Sequence, residues 1–148
     1  MTTDSPTHLN KRELTNYVID QLIEERKQVW NLYCSVAGME SFKADKPIEE
    51  LVEDFCQLSV DYISLGQFGL YQRILDGHER RKGIVEVAEK VYPRISESAD
   101  AVLRFSERYQ QLTPAKILNQ LSDDLSTVGE QLAARFESED ELINQMRA

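Results

Sequence analysis

Glycine and proline are scarce in this 148-residue chain, six and four respectively, while 41% of the residues are hydrophobic. That combination excludes an intrinsically disordered polymer and provides enough apolar material for one compact domain. Long hydrophobic runs are also missing. The longest are a few residues, such as Val18-Ile19 and Ala101 to Leu103, far short of the roughly 20 that cross a bilayer. Met1 to Leu9 is polar, with Asp4 and Pro6 and no apolar signal core, so the expected compartment is the cytoplasm. Cysteine is limited to Cys34 and Cys56, without a Cys-x-x-Cys spacing, and the pair reads as buried free thiols in a reducing environment.

Histidine is as scarce, with two residues, too few for a bundle that would hold a metal. His8 lies in the N-terminal stretch and His78 just after Gly77, so a haem or carboxylate-bridged di-metal site is not expected, and no cofactor is implied. Phosphate-binding glycine loops, dinucleotide fingerprints and nucleophile elbows are all absent. Positive charge is deficient as well: 17 basic against 26 acidic side chains give a net charge of −9. Such a surface repels nucleic acid and favours a basic partner.

What is present is helical periodicity. A first helix is expected from about Leu9 to Ala37, with Leu14, Val18, Leu22, Val29, Tyr33 and Val36 on one stripe, stopping at Gly38. Pro47, followed by Glu49, Glu50, Glu53 and Asp54, opens a second helix that reaches Asp76 and ends at Gly77. The third starts near Arg81 to Ile84 and carries Ala88, Val91, Ile95, Val102 and Tyr109 on one side, with a kink or a break expected at Tyr92-Pro93. Thr113-Pro114 reads as a cap and first-turn proline for the last helix. Its Leu118, Leu121, Leu125, Val128 and Leu132 repeat at steps of three and four and continue through Phe136, Ile143 and Met146. The expected fold is an all-α, elongated up-down four-helix bundle spanning 9–148, after a flexible tail at 1–8.

Charge is unevenly distributed. Residues 40–54 hold six acidic and two basic side chains and residues 123–141 seven and one, whereas residues 72–94 hold six basic and four acidic. Asp61, Glu130 and Glu139 are candidates for an acid-base group, but Arg26, Arg73 and Arg135 make ion pairing the stronger reading. No catalytic residue is therefore assigned, and an enzyme is not expected.

The second helix is distinctive. With Phe55 at zero and about 100° per residue, Phe55, Ser59, Tyr62, Gly66, Gly69 and Arg73 share one face. Almost opposite lie Gln57, Asp61, Ser64, Phe68, Tyr71 and Leu75. Two apolar faces mean either a central helix or one that offers a second face to a partner. Aromatics at helical spacing are commonly core, yet Asp61 and Ser64 on the same stripe give it the mixed composition of a binding hot spot.

These segments, Asp54-Phe55-Cys56-Gln57, Val60-Asp61-Tyr62-Ile63-Ser64, Gly66-Gln67-Phe68 and Tyr71-Gln72-Arg73-Ile74-Leu75, resemble the signature region of the Rsd/AlgQ family of bacterial anti-sigma regulators. Leu22, Arg26, Leu32-Tyr33 and Gly38 resemble the family's opening helix, and Gly129 to Phe136 with Glu139-Asp140 and Leu142-Ile143 its closing one. The chain departs from the family pattern with Gln67 in place of His and Leu65 in place of Ala. The resemblance implies binding of region four of the primary sigma factor, withholding it from core RNA polymerase and promoter DNA and favouring alternative sigma factors in stationary phase. It implies partner contacts by Asp61, Tyr62, Ser64, Phe68 and Tyr71, with Leu75 and Arg26 as further candidates. For Arg26 an internal salt bridge to Asp61 or Glu139 competes with that role. A monomer forming a one-to-one complex is expected, without direct nucleic-acid or membrane binding. The alternative is a self-associating scaffold or small-ligand bundle that uses the second stripe for itself.

Overall fold

The computed structural model describes residues 10–38, 45–111 and 114–148, with the backbone alone for Pro114, Ala115, Ile117 and Leu118. The expected tail at 1–8, the loop residues Ser41 and Lys43, the cap Thr113 and the side chain of Leu118 fall outside the described residues. Four helices follow one another: α1 (Lys11–Val36), α2 (Ile48–Gly66), α3 (Lys82–Gln111) and α4 (Pro114–Met146). Two π-helical turns, Gln67–Tyr71 and Ile74–His78, prolong α2. Among the described residues there is no strand, and no helix is long and apolar enough to cross a membrane. At 1.5 Å per residue, the 33 residues of α4 span about 50 Å.

Local chemistry explains the ends. Asn10 caps α1: its Oδ1 accepts from the Glu13 amide at 2.8 Å while its Nδ2 donates to the Glu13 carboxylate at 2.7 Å, a reciprocal cap that satisfies one orphan amide of the first turn. Gly38 and Gly77 adopt φ of 73° and 88° beyond the ends of the first two helices, the left-handed conformation that closes a helix and that glycine adopts without strain. Pro47 sits one position earlier than the sequence suggests, at the cap of α2, and its carbonyl accepts from the Glu50 and Leu51 amides. Pro93 does not split α3, which runs as one helix from Lys82 to Gln111. Proline withholds only the hydrogen bond to the Glu89 carbonyl, and both residues are exposed, so water can serve that carbonyl.

Contacts between helices give the up-down-up-down order. Tyr33 meets Phe55 while Gly69 lies against Val18, so α1 and α2 are antiparallel. Phe55 meets Phe105 and Gln67 bonds Tyr92; Lys90 pairs with Glu141 while Tyr109 bonds Asp124. The stripes read from the sequence converge in one core, including Leu22, Val29, Phe55, Ile95, Val102, Leu125 and Leu132. One end of the bundle thus collects the start of α1, the end of α2, the start of α3 and the end of α4. The other end collects the start of α2 and the end of α3.

Candidate functional site

At the centre of the bundle lies an ionic cluster rather than more hydrocarbon. Arg135 and Glu139, one turn apart on α4, are 1% and 0% exposed. The Arg135 Nε donates to the Glu139 Oε2 at 3.1 Å and to the Tyr62 hydroxyl at 3.3 Å. Its Nη1 donates to the Ile95 carbonyl at 3.2 Å and the Ser98 hydroxyl at 3.1 Å. Tyr62 in turn donates to Glu139. From α1, Arg26 reaches Glu139 at 3.4 Å, pairs with Asp140 and lies over the Phe136 ring. The Arg135 guanidinium also sits over the rings of Tyr62 and Tyr71, 5.0 and 5.6 Å from their centroids. Burial first, and then the charge of Glu139, push the Tyr62 and Tyr71 hydroxyls well above the ordinary phenol range. Both remain neutral; Tyr62 spends its proton on Glu139, whereas the buried Tyr71 hydroxyl has no hydrogen-bond partner among the described residues.

Gly66 makes room for this arrangement. A methyl group there would lie 2.9 Å from Arg135 Nη2 and 3.0 Å from the Tyr71 ring. Both glycines of this stretch face close neighbours, Gly66 toward Arg135 and Gly69 toward Val18 of α1.

The cluster divides the residues to which the family resemblance gives partner contacts. Tyr62 and Tyr71, 0% and 2% exposed, are core residues, buried in this conformation. For Tyr62 the α-helical wheel already says so, since it shares the face of Phe55. For Tyr71 the wheel fails, because the Gln72 amide bonds the Gln67 carbonyl, five residues back. An i to i+5 turn rotates the chain by less per residue than the 100° of an α-helix, so Tyr71 swings from the side of Phe68 to that of Arg135. Arg26 is likewise committed to Glu139 and Asp140, the internal pairing that competes with a partner role.

Asp61, Ser64, Phe68 and Leu75 stay on the outside. Phe68 is 69% exposed and Leu75 39%. Asp61 has no ionic partner among the described residues; its charge adds to burial in raising the pKa of Glu25 on α1. The three carboxylates considered for acid-base work are not brought together, for Glu139 lies inside the bundle and Asp61 and Glu130 on its surface.

Beside Asp61 runs a groove of about 570 Å³ between α2 and α3. Glu49, Glu53, Gln57 and Asp61 line one wall and Ser106 and Gln110 the other, over Val52, Cys56, Val60 and Tyr109. The α3 wall escapes sequence reading, because Tyr109 continues the core stripe of Phe105 and gives no separate sign of a groove. The acidic surface expected on α4 is largely spent internally: Asp124, Glu139, Asp140 and Glu141 pair with Arg108, Arg135, Arg26 and Lys90. The acidic surface of α2 keeps Glu49, Glu53 and Asp61 without ionic partners among the described residues, while Asp54 and Glu50 act on Lys46.

Cys56 supplies a check on this groove. It is 3% exposed, and burial pushes its thiol up to about 11; Cys34 is 1% exposed and raised for the same reason. At pH 8 a thiol with that pKa is about one part in a thousand thiolate. Ellman's reagent is expected to titrate neither cysteine in the native protein and both in urea. Rapid native labelling of Cys56 would contradict the packed groove floor.

These features define an all-α bundle with a locked polar centre and one helix edge on which acidic and aromatic side chains stand unpaired. The chain belongs to the Rsd/AlgQ family, described as Regulator of RNA polymerase sigma(70) subunit, which it matches over residues 1–147. It is similar to the Regulator of sigma D of Yersinia enterocolitica (serotype O:8 / biotype 1B), 34% identical over 135 residues, covering 87% of this chain and 80% of the relative. The protein of the same name from Yersinia pseudotuberculosis (serotype O:1b) is 32% identical over 142 residues, covering 87% and 79%. That of Salmonella paratyphi A is 31% identical over 133 residues, covering 87% and 81%. No solved structure matches the chain.

Proposed function

We propose that this chain is an anti-sigma factor that captures region four of the primary sigma factor in a one-to-one complex in the cytoplasm. Capture keeps that domain from core RNA polymerase and promoter DNA and shifts transcription toward alternative sigma factors in stationary phase. The chain acts by binding, without catalysis. The observation that carries the reading is the outer edge of α2, where Phe68 stands 69% exposed on the same helix as an Asp61 that, among the described residues, has only the like charge of Glu25 for company. Region four is a DNA-reading helix-turn-helix domain with a basic face. A cation from that face would relieve the Asp61–Glu25 repulsion, Phe68 would bury an apolar anchor, and the acidic groove would speed encounter.

In this reading Asp61, Ser64 and Phe68 contact the sigma domain directly, with Leu75 at the margin. Tyr62, Tyr71 and Arg26 act as positioning residues: they lock the inner side of α2 and so fix the outer side. Phe68→Ala is expected to weaken binding to purified region four by about 2 kcal/mol. Asp61→Lys should weaken it further and lower the salt dependence of association. Both leave helicity by circular dichroism unchanged, since both side chains are exposed. Unchanged affinity in both variants would overturn the assignment of this edge.

A further inference from the structure

The end of the bundle remote from the acidic groove carries a second cleft, of about 510 Å³, and its chemistry is the reverse. Lys11 and Arg12 enter it from α1, Arg73 and His78 from the end of α2, and Arg80 and Arg81 from the link to α3. Among the described residues Glu79 is the one acid in the lining, and it is taken up by Arg81, whose Nε donates to it at 3.1 Å. Lys11, Arg12, Arg73 and Arg80 have no acidic partner among the described residues. In a chain of net charge −9 with abundant carboxylates, four cations unpaired among the described residues stand around one concavity and repel one another. Arg73 is moreover partly buried, which desolvates its charge. The floor is formed by Leu70, Ile74 and Met146, all at most 5% exposed.

We propose that this cleft binds a small organic polyphosphate of nucleotide size. Three arginines approaching from separate segments suit the several oxygens of a phosphate chain, because each guanidinium presents a planar fork of donors. A singly charged anion would leave most of the positive charge uncompensated. The volume lies in the range of small-ligand pockets, and the apolar floor accommodates a planar group beside the phosphates. A concave set of cations fits a compact anion better than an extended acidic surface. The site shares no residue with the outer edge of α2 around Asp61 and Phe68, so it stands or falls separately from sigma binding.

Calorimetric titration of the whole chain with tripolyphosphate and with ATP at low salt tests the proposal. The expected result is saturable one-to-one binding, weakened about tenfold by Arg12→Ala with Arg73→Ala, weakened also by the exposed Arg80→Ala, and unchanged by Arg104→Ala on the exposed side of α3. Tighter binding of ATP than of tripolyphosphate assigns the floor to the nucleoside; equal binding assigns the site to the phosphate chain alone. Absence of saturable binding to either probe overturns the proposal. So does equal weakening by Arg104→Ala, or preference for a glutamate-rich peptide over both probes.

Discussion

Glu139→Ala is expected to cost about 3 to 5 kcal/mol of folding stability, the usual consequence of removing one partner from a buried ion pair. The substitution leaves the Arg135 guanidinium, 1% exposed, without its carboxylate, deprives the Tyr62 hydroxyl of its acceptor and frees Arg26 from one of its two acids. Urea unfolding followed by the fluorescence of Trp30 measures the loss directly. Trp30 is the single tryptophan and stacks on Tyr33 with its edge toward Phe136. The double variant Arg135→Met with Glu139→Leu is expected to recover most of the loss, because replacing both members removes the uncompensated charge along with the pair. If Glu139→Ala unfolded at the same urea concentration as the parent, the cluster would not be the internal tie described above. The double variant serves a second purpose. If it is stable yet binds region four poorly, the cluster positions α2 as well as stabilising it.

The second large effect is expected from Gly129→Ala. Tyr33 of α1 lies across α4 at this glycine and donates to the Leu125 carbonyl at 3.0 Å. A methyl group on residue 129 would stand 2.1 Å from the Tyr33 hydroxyl oxygen and 2.5 Å from its ring carbon Cζ. No small adjustment accommodates that. Tyr33 must leave, giving up its hydrogen bond and its contacts with Trp30 and Phe55. The cost should be about 3 kcal/mol, at the upper end of ordinary overpacking, even though alanine favours the helix itself. Thermal unfolding of Gly129→Ala, Tyr33→Ala and the double variant checks the cause. In the double variant the losses should be clearly less than additive, since truncating Tyr33 already removes the obstacle. Additive losses would place the damage elsewhere.

The fold was legible because its helices are long and their apolar stripes unambiguous. Leu121, Leu125, Val128 and Leu132 recur at the steps of a seam, and all four are buried. The polar centre left a subtler trace in the same stripe. From Phe136 to Ile143 the stripe takes a step of seven, and Glu139 stands within it at the spacing where a leucine would belong. Arg135 precedes it by one turn, facing the same way. A gap in a strong stripe, filled by opposite charges one turn apart, was the available sign of a buried pair.

On α2 the wheel puts each partner candidate on its observed side except Tyr71. Asp61, Ser64 and Phe68 were placed correctly on the outside, Tyr62 falls inside as its angle demands, and Tyr71 was misplaced. Nothing in Gln67-Phe68-Gly69-Leu70-Tyr71 announces an i to i+5 turn, because its cause is tertiary: Tyr71 gains a place beside Arg135 and Tyr62 that a regular helix would deny it. The α2–α3 groove and the basic cleft were hidden for a related reason. Each is assembled from helices distant in sequence, and only antiparallel packing brings Tyr109 beside Val52, or Arg12 beside Arg73.

That packing has a consequence for encounter. The carboxylates of α2 gather toward one end of the bundle and the unpaired arginines at the other, separated by much of a helix length. The molecule is therefore an electric dipole as well as an anion. In the field of a basic domain such a body experiences a torque before it experiences contact, so it arrives with its acidic end turned forward. A neutral bundle of the same shape would have to find that orientation by chance among many unproductive collisions.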